Sequence, residues 1–524
     1  IFTFFIMDKI LNIIKKYIPK KLFKYFQPAY HFLLSWFSAV WHKRPGEKLI
    51  VIGVTGTTGK TTIVYLIAEV LKSAGYKVGY TSTAMFSDGE KEWLNDKKMT
   101  MAGRFFTQKM LRDMVRNKCQ YAIIETTSEG IVQYRHKFIN YDILVFTGLY
   151  PEHIDSHGGF ENYKQAKGKL FAHLKNCKTK YVNEEKYACT AVSGIKKLDL
   201  NRVKKVIIAN GDDEHVGYFL GFSAEDRMKY EVRSMKFPPE AACPSFGGDQ
   251  PLAEEIRSKN SEDDVAIKKL IASDIDLSGN GASFVADNTK INLQLLGEFN
   301  VSNAMAAVCL GLSQGLDIRQ IKSGLEKVKG VPGRFERITS PQPPHQVRGR
   351  LSPSKGEGEK KINFTVIVDY AFEPNAVGKL YEVLKLISNN QAEEEQGRII
   401  HVLGSAGGGR DINRRPKLGK IAGEKADYII ITNEDPYNDD PQIIIDQVAA
   451  GAEKAGKELG KNLFKILDRR QAIKKAFSLA REKDIVLITG KGSEQAICAE
   501  DGKKIPWDDR QVAREELERV TRNA

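Results

Sequence analysis

The sequence predicts an α/β protein. A central unit built on a mainly parallel sheet is followed by a second, Rossmann-like α/β unit, with a short amphipathic helical segment in front. Three observations carry that expectation. From Lys48 onward, short apolar runs alternate with stretches of helical periodicity, the pattern of a parallel sheet covered by helices. The alternation restarts after about residue 339. A chain of 524 residues is also too long for one hydrophobic core.

Residues 1–47 form the first region. Lys9, Lys15, Lys16, Lys20, Lys21, Lys24, Lys43 and Arg44 are interleaved with aromatic residues, and no secretory cleavage pattern is present. The most apolar part, Tyr30 to Trp41, falls short of the ~20 residues that span a bilayer. This composition suits a helix lying at a membrane interface through residues 1–45. It equally suits a helix packed on the first domain or one mediating self-association. The chain opens on Ile1 rather than Met, and the true start is expected nearer Met7.

Residues 48–338 form the central domain. Strands are expected at Leu49–Val54, Tyr121–Glu125, Asp142–Thr147 and Val206–Asn210, and helices at Thr61–Ala74 and Glu161–Leu174. A polar stretch at about 237–264 interrupts it. Residues 339–524 form the C-terminal domain, with strands expected at 364–369, 398–404, 427–432, 464–468 and 484–489. The stretch SPQPPHQVRGRLSPSKGEGEKK, 340–361, has the low complexity of a disordered insertion.

A hydrophobic content of 42% with 28% charged residues is that of an ordinary globular protein. The net charge of +14 points to an anionic partner, but much of the excess sits in the first region, so nucleic acid does not follow. The six cysteines form no CxxC pair, which argues against a structural zinc site and for a reducing, cytoplasmic compartment.

The stretch GVTGTTGKTT, Gly53 to Thr62, joins the first strand to the first helix. In that setting backbone N–H groups and the helix N-terminus hold phosphates, which makes the central unit a P-loop-type ATPase domain. Lys60 would reach the terminal phosphates, and the Thr61 hydroxyl would ligate Mg²⁺. The generic loop requires glycine at position 54, where this chain has Val54; here Gly56 stands three residues before Gly59. The expected ATP contacts are Gly56, Thr57, Thr58, Gly59, Lys60, Thr61 and Thr62.

TGTTGKTT resembles the loop of the Mur ligase superfamily, ATP-dependent amino-acid ligases of peptidoglycan synthesis whose relatives include folylpolyglutamate synthases. The resemblance continues through ETTSEGIVQYR (125–135), FTGLYPEHIDSHGGFENYKQAKGKLF (146–171), LLGEFNVSNAMAA (295–307) and VPGRFE (331–336). It extends to VDYAFEPNAV (368–377), GGGRDINRRP (407–416), TNEDPYNDDP (432–441) and GKGSEQ (490–495). In order and spacing these are similar to the MurE-type UDP-N-acetylmuramoyl-tripeptide synthetases.

That resemblance implies a monomer that adds the third amino acid, diaminopimelate, lysine or similar, to a UDP-linked muramoyl dipeptide. Amide formation from a carboxylate needs activation, and transfer of the ATP γ-phosphoryl yields an acyl phosphate that an amine attacks. The transfer brings anions together, so Mg²⁺, lysine and arginine must neutralise charge. Lys60, Glu125, His153 and Lys167 are the implied catalytic set, with Thr61, Glu125, His153 and a carbamylated Lys167 as metal ligands. Asn300, Arg334 and Asp369 are implied for ATP, and Thr100, Thr127, Gln133 and Arg135 for the acceptor. Arg410, Glu434, Asp435, Gly490 and Glu494 are implied for the incoming amino acid, with Arg410 on its carboxylate.

The chain departs from the family pattern at several positions. Glu434-Asp435-Pro436-Tyr437 replaces D-N-P-R, removing a bidentate carboxylate clamp and leaving the amino acid open. Glu129, Phe372 and Ser493 replace three family histidines. Family members carry a UDP-binding domain ahead of the loop, where this sequence has 52 basic, aromatic residues before Gly53. UDP is therefore expected to be bound differently or weakly, with the substrate presented at the membrane. Two other readings stand: a ligase acting on a lipid-linked or folylpolyglutamate-like substrate, and an inactive membrane-associated nucleotide-binding scaffold.

Overall fold

The structure is a computed structural model that describes residues 20–151, 157–190, 200–233, 266–338, 364–388, 397–410 and 412–522. The polar stretch at 237–264, the insertion at 340–361 and His153 lie outside the described residues.

The first half of the chain supplies β1 (Ile50–Thr55), β2 (Val78–Thr81), β3 (Met85–Ser87), β4 (Glu92–Leu94), β5 (Tyr121–Glu125) and β6 (Ile143–Phe146). A small antiparallel sheet follows, made of β7 (Lys180–Val182), β8 (Ala188–Cys189) and β9 (Asn201–Val203). Then come β10 (Val206–Asn210), β11 (Asp226–Val232), β12 (Ile267–Ser278), β13 (Gly281–Ala286) and β14 (Thr289–Leu293). Among the described residues, all but the small sheet join one sheet in the order β14-β13-β12-β11-β10-β6-β1-β5-β2-β3-β4. The run from β12 to β2 is parallel, and the outer pairs at both ends are antiparallel.

β1 lies in the middle and is buried throughout. Its side chains alternate between two cores. Ile50, Ile52 and Val54 pack with α2 (Lys60–Ser73), α7 (Glu298–Ser313) and α8 (Ile318–Glu326), whereas Val51 packs with α3 (Arg104–Arg116) and α5 (Phe160–Leu174). Burial on both faces is why such strands read as unbroken apolar runs. Two five-residue helices, α4 (Ser128–Val132) and α6 (Val216–Leu220), cover connections.

The second sheet has the order β15-β16-β20-β17-β18-β19, with β15 (Glu336–Ile338), β16 (Thr365–Asp369), β17 (Ile399–Leu403), β18 (Tyr428–Ile431), β19 (Leu463–Lys465) and β20 (Ile485–Thr489). All its pairs are parallel except β15–β16. Glu336–Ile338 pairs with Val366–Val368, so the last residues of the expected central unit lie in the second sheet. Helices α9 (Pro374–Ser388), α10 (Arg414–Lys425) and α11 (Pro441–Lys454) cover one face, and α12 (Arg469–Leu479) and α13 (Asp509–Arg522) the other.

Helix α1 (Lys20–Trp41) packs on α3. Arg104 donates from Nε to Ser35 Oγ at 3.1 Å, and its Nη2 lies 2.9 Å from His31 Nδ1. Phe32 meets Tyr134 and Phe138, and Phe37 meets Phe105. Its other face leaves Tyr25 79%, Leu33 61% and Trp41 55% exposed. Among the described residues no helix is long and apolar enough to cross a membrane.

Candidate active site

The glycine spacing of the loop has a steric origin. Gly56 sits at φ 152°, and a Cβ there would come within 2.0 Å of Thr147 Oγ1 at the end of β6. Gly59 has φ 79°, and a Cβ would meet Asn303 Oδ1 of α7 at 2.5 Å. Val54 needs no such freedom, because β1 is still paired there and accepts a hydrogen bond from Thr126 N at 2.8 Å.

Contacts beneath the loop hold it in shape. Thr147 Oγ1 donates to Thr58 O at 2.6 Å, and Thr57 N donates to Gly148 O at 2.8 Å. Thr57 Oγ1 lies 3.1 Å from the Tyr163 hydroxyl and accepts from Tyr150 N at 3.0 Å. Lys60 folds back so that Nζ donates to Thr57 O at 2.6 Å. Lys167 is buried, with its ammonium 4.6 Å from the Tyr163 ring centroid and donating to Gly56 O at 2.9 Å. Thr62 is buried in the first turn of α2.

Thr61 is the junction of the site. Its hydroxyl donates to Glu125 Oε2 at 3.0 Å and accepts from Arg334 Nη2 at 3.2 Å. Glu125 ends β5 and also accepts from Thr83, at 2.7 Å from the backbone N–H and 2.9 Å from the hydroxyl. Arg334 precedes β15, so the second sheet's edge is bonded to the first turn of α2. Two features aim it. Its guanidinium lies 4.3 Å from the Tyr370 ring centroid. The following residue, Phe335, donates its N–H to Asp369 Oδ2 at 2.6 Å, while Asp369 Oδ1 accepts from Ala371 N at 2.6 Å. Burial pushes the Asp369 carboxyl above the usual range, opposed by Arg334 and these two amides.

Thr61 and Glu125 offer Mg²⁺ hard oxygen donors beside a phosphate cradle, the few protein ligands this ion takes when phosphates supply the rest. Among the described residues no group of three His, Cys, Asp or Glu side chains converges as a metal cage. Asn300 is buried in the first turn of α7, where its Nδ2 donates to Leu296 O at 2.8 Å and its Oδ1 accepts from Asn303 at 3.1 Å.

The residues expected on the acceptor gather on the Glu125 side. Thr100 Oγ1 is 2.9 Å from Thr83 Oγ1. Thr127 caps α4 by accepting from Gly130 N. Gln133 Oε1 accepts from Arg135 at 2.7 Å, and Arg135 Nη1 also donates to Met101 O. Arg104 Nη2 donates to Gln133 O at 2.9 Å, tying this loop to α1. Burial and the neighbouring Arg135 pull the Arg104 guanidinium down to about 10.

The residues expected on the amino acid gather beyond the C-terminal ends of the second sheet. Arg410 Nη2 donates to the Tyr437 hydroxyl at 3.1 Å. Glu434 is buried with no hydrogen-bond partner for Oε2 among the described residues, and Gly490 (φ 107°) faces it, because a Cβ there would lie 2.6 Å from that oxygen. Burial, then the charge of Asp435, pushes the Glu434 carboxyl up. Asp435 is also buried, but Lys491 and Lys98 outweigh that penalty and hold it below the usual range. Glu494 receives Lys491 Nζ at 2.6 Å.

Sequence reasoning missed Thr83, Tyr163, Lys98 and Lys491. Lys491 lies inside GKGSEQ, so its motif was legible; nothing in the sequence around Lys98 or Thr83 marks them.

A glycine loop on a parallel sheet, a buried threonine–carboxylate pair and an arginine delivered from a second α/β unit define a nucleotide-using enzyme whose site spans two sheets. Residues 54–237 match the model of the Mur ligase middle domain, and residues 355–492 that of the Mur ligase glutamate ligase domain. The chain is 33% identical over 484 residues to a UDP-N-acetylmuramyl-tripeptide synthetase of Roseiflexus sp., covering 92% of this chain and 81% of that one. It is 28% identical to a UDP-N-acetylmuramoyl-L-alanyl-D-glutamate–2,6-diaminopimelate ligase of Clostridium tetani, covering 92% and 80%. A solved structure of such a diaminopimelate ligase superposes with TM-score 0.50 at 25% identity, covering 90% and 79%. The chain belongs to the Mur ligase family, whose members are ATP-dependent, ADP-forming ligases.

Proposed function

We propose that the protein joins an amino acid, diaminopimelate, lysine or similar, to UDP-N-acetylmuramoyl-L-alanyl-D-glutamate through an acyl phosphate. The observation that carries this reading is the Arg334–Thr61–Glu125 relay, which links the second sheet to the phosphate loop at the point where charge must be neutralised. Thr61 and Glu125 would hold Mg²⁺, together with His153 and Lys167 once carbamylated, and the ion would offset phosphate charge. Lys60 and the N-terminus of α2 hold the terminal phosphates, and Arg334 adds a cation on the opposite side. Asn300 and Asp369 complete the nucleotide site, the latter by pinning the Arg334 turn. Thr100, Thr127, Gln133 and Arg135 position the acceptor carboxylate. Arg410 holds the α-carboxylate of the amino acid, while Glu434, Asp435, Gly490 and Glu494 line its distal end. The unit that starts at residue 48 and the unit that starts at β15 act as the two halves that meet around the substrates, within a monomer.

ADP release from the muramoyl dipeptide with a panel of amino acids tests the reading. Turnover that depends on one amino acid supports it. ATP binding without amino-acid-dependent ADP formation favours the nucleotide-binding scaffold.

The exposed face of α1 favours peripheral contact with the inner membrane surface. Tyr25, Leu33 and Trp41 are exposed along the helix and the exposed Lys43 and Arg44 follow its C-terminal end, while Arg104 ties the helix to the acceptor loop. Full-length protein is expected to sediment with anionic liposomes and to lose this when Tyr25, Leu33 and Trp41 are changed to glutamate. Equal sedimentation of both proteins contradicts the contact.

A further inference from the structure

Asp435 and Glu494 receive two ammonium groups, and one comes from the first sheet's side of the molecule. Lys98 lies between β4 and α3 with φ 53°. Asn95 holds that segment, its Nδ2 donating to Ser82 O at 2.9 Å and Met99 O at 3.0 Å. Lys98 Nζ lies 2.9 and 2.8 Å from the two Asp435 oxygens, 3.1 Å from Glu494 Oε2 and 2.6 Å from Ala496 O. Lys491 supplies the second ammonium, 2.7 Å from Asp435 and 2.6 Å from Glu494. The Lys98 side chain is only 5% exposed. Its three N–H donors therefore find acceptors on three residues, Asp435, Glu494 and Ala496, the demand any primary ammonium makes when it leaves water.

We infer that Lys98 is a tethered occupant of the subsite for the distal ammonium of an incoming diamino acid, which binds by displacing it. The inference rests on the function proposed above and names how that site is held before substrate arrives. Asp435 and Glu494 already face two ammonium groups that balance their charge, so a third ammonium placed between them would be buried beside two like charges, which is costly. Lys98 must leave for a diamino acid to enter. A tethered group competes at an effective concentration of about millimolar, so the apparent affinity of the free amino acid is reduced accordingly. An amino acid without a distal ammonium does not meet this competition. Lys98 lies two residues from Thr100, so its release also breaks a contact between the acceptor side and the second sheet.

Calorimetric titration of the full chain with L-lysine and with L-norleucine, which has the same reach without the ammonium, tests the inference. In Lys98→Met, L-lysine is expected to bind at least tenfold more tightly than to the wild type, with norleucine changed less than twofold. Lys98→Arg keeps the tethered charge and is expected to leave L-lysine weak. An unchanged lysine-to-norleucine ratio in Lys98→Met, or weaker lysine binding, overturns the inference. The wild type gives a second measurement that needs no variant. L-lysine should raise acylation of Lys98 by an N-hydroxysuccinimide ester, read by peptide mass spectrometry, and norleucine should not. Labelling that stays flat or falls with lysine overturns it. Absence of ADP formation with every amino acid overturns the ligase reading, whereas unchanged selectivity in an active Lys98→Met protein overturns this inference alone.

Discussion

Gly56→Ala is the sharpest perturbation of the phosphate loop. The new Cβ would lie 2.0 Å from Thr147 Oγ1, 2.9 Å from Gly148 O and 3.1 Å from Gly148 N, at φ 152°. A side chain can rotate away; the Gly148 backbone, which accepts from Thr57 N at 2.8 Å, cannot move without opening the loop. Holding alanine in a sparsely populated backbone region costs about 1–3 kcal/mol. Displacing Thr147 breaks its bond to Thr58 O, at about 1 kcal/mol more. The expected destabilisation is therefore about 2–4 kcal/mol, read from the urea unfolding midpoint at constant slope. ATP binding, followed by titration with a non-hydrolysable analogue, should be lost with it. Gly75→Ala is the control: it has φ 88° but nothing within 4 Å of the added Cβ. It should cost only about 1–2 kcal/mol of left-handed strain and leave nucleotide binding intact. Wild-type stability and nucleotide affinity in Gly56→Ala would refute the steric account of the glycine spacing.

Other perturbations probe separate parts of the molecule. Burial raises the Glu434 carboxyl, so the folded state holds that proton more tightly than the unfolded chain. Stability should fall as pH rises from the ordinary carboxylate range through the folded value, and Glu434→Gln should remove this slope; parallel urea stability profiles for both proteins across pH 4–8 would contradict it. Asp509 accepts from Arg469 at 2.8 and 2.7 Å and from Trp507 Nε1 at 2.8 Å, all within the packing of α12 on α13. Asp509→Ala leaves a buried guanidinium unpaired and should cost about 3–5 kcal/mol in urea unfolding. Arg104→Ala removes bonds to His31, Ser35 and Gln133, so limited proteolysis should cut within α1 sooner and the acceptor KM should rise while the ATP KM holds.

Much of the fold was legible because the central strands are buried on both faces. β5 and β10 coincide with the expected Tyr121–Glu125 and Val206–Asn210, and the expected second-unit strands correspond to β16 through β20. β12 was not legible: Ile267, Lys268 and Lys269 at its start are exposed, and the polar stretch precedes it, so no apolar run announces a strand. For the site, the loop and the carboxylate at the end of β5 could be read because they lie in local motifs. Asn300 was expected on ATP from its motif; that its amide also donates to Leu296 O, and so is fixed in place, is a contact that sequence spacing does not reveal. Lys98 was invisible because a lysine in a polar stretch ordinarily stays in water. Its burial follows from meeting Asp435, 337 residues away.

The central claim is that ATP activates a carboxylate of the acceptor. The most direct measurement is the fate of oxygen in that carboxylate. With UDP-N-acetylmuramoyl-L-alanyl-D-glutamate labelled with ¹⁸O in its glutamyl carboxylates, and the amino acid that supports turnover, the account predicts that each released phosphate carries one ¹⁸O atom. Phosphate released without label would show that water, and not the acceptor, takes the phosphoryl group, and would contradict the account.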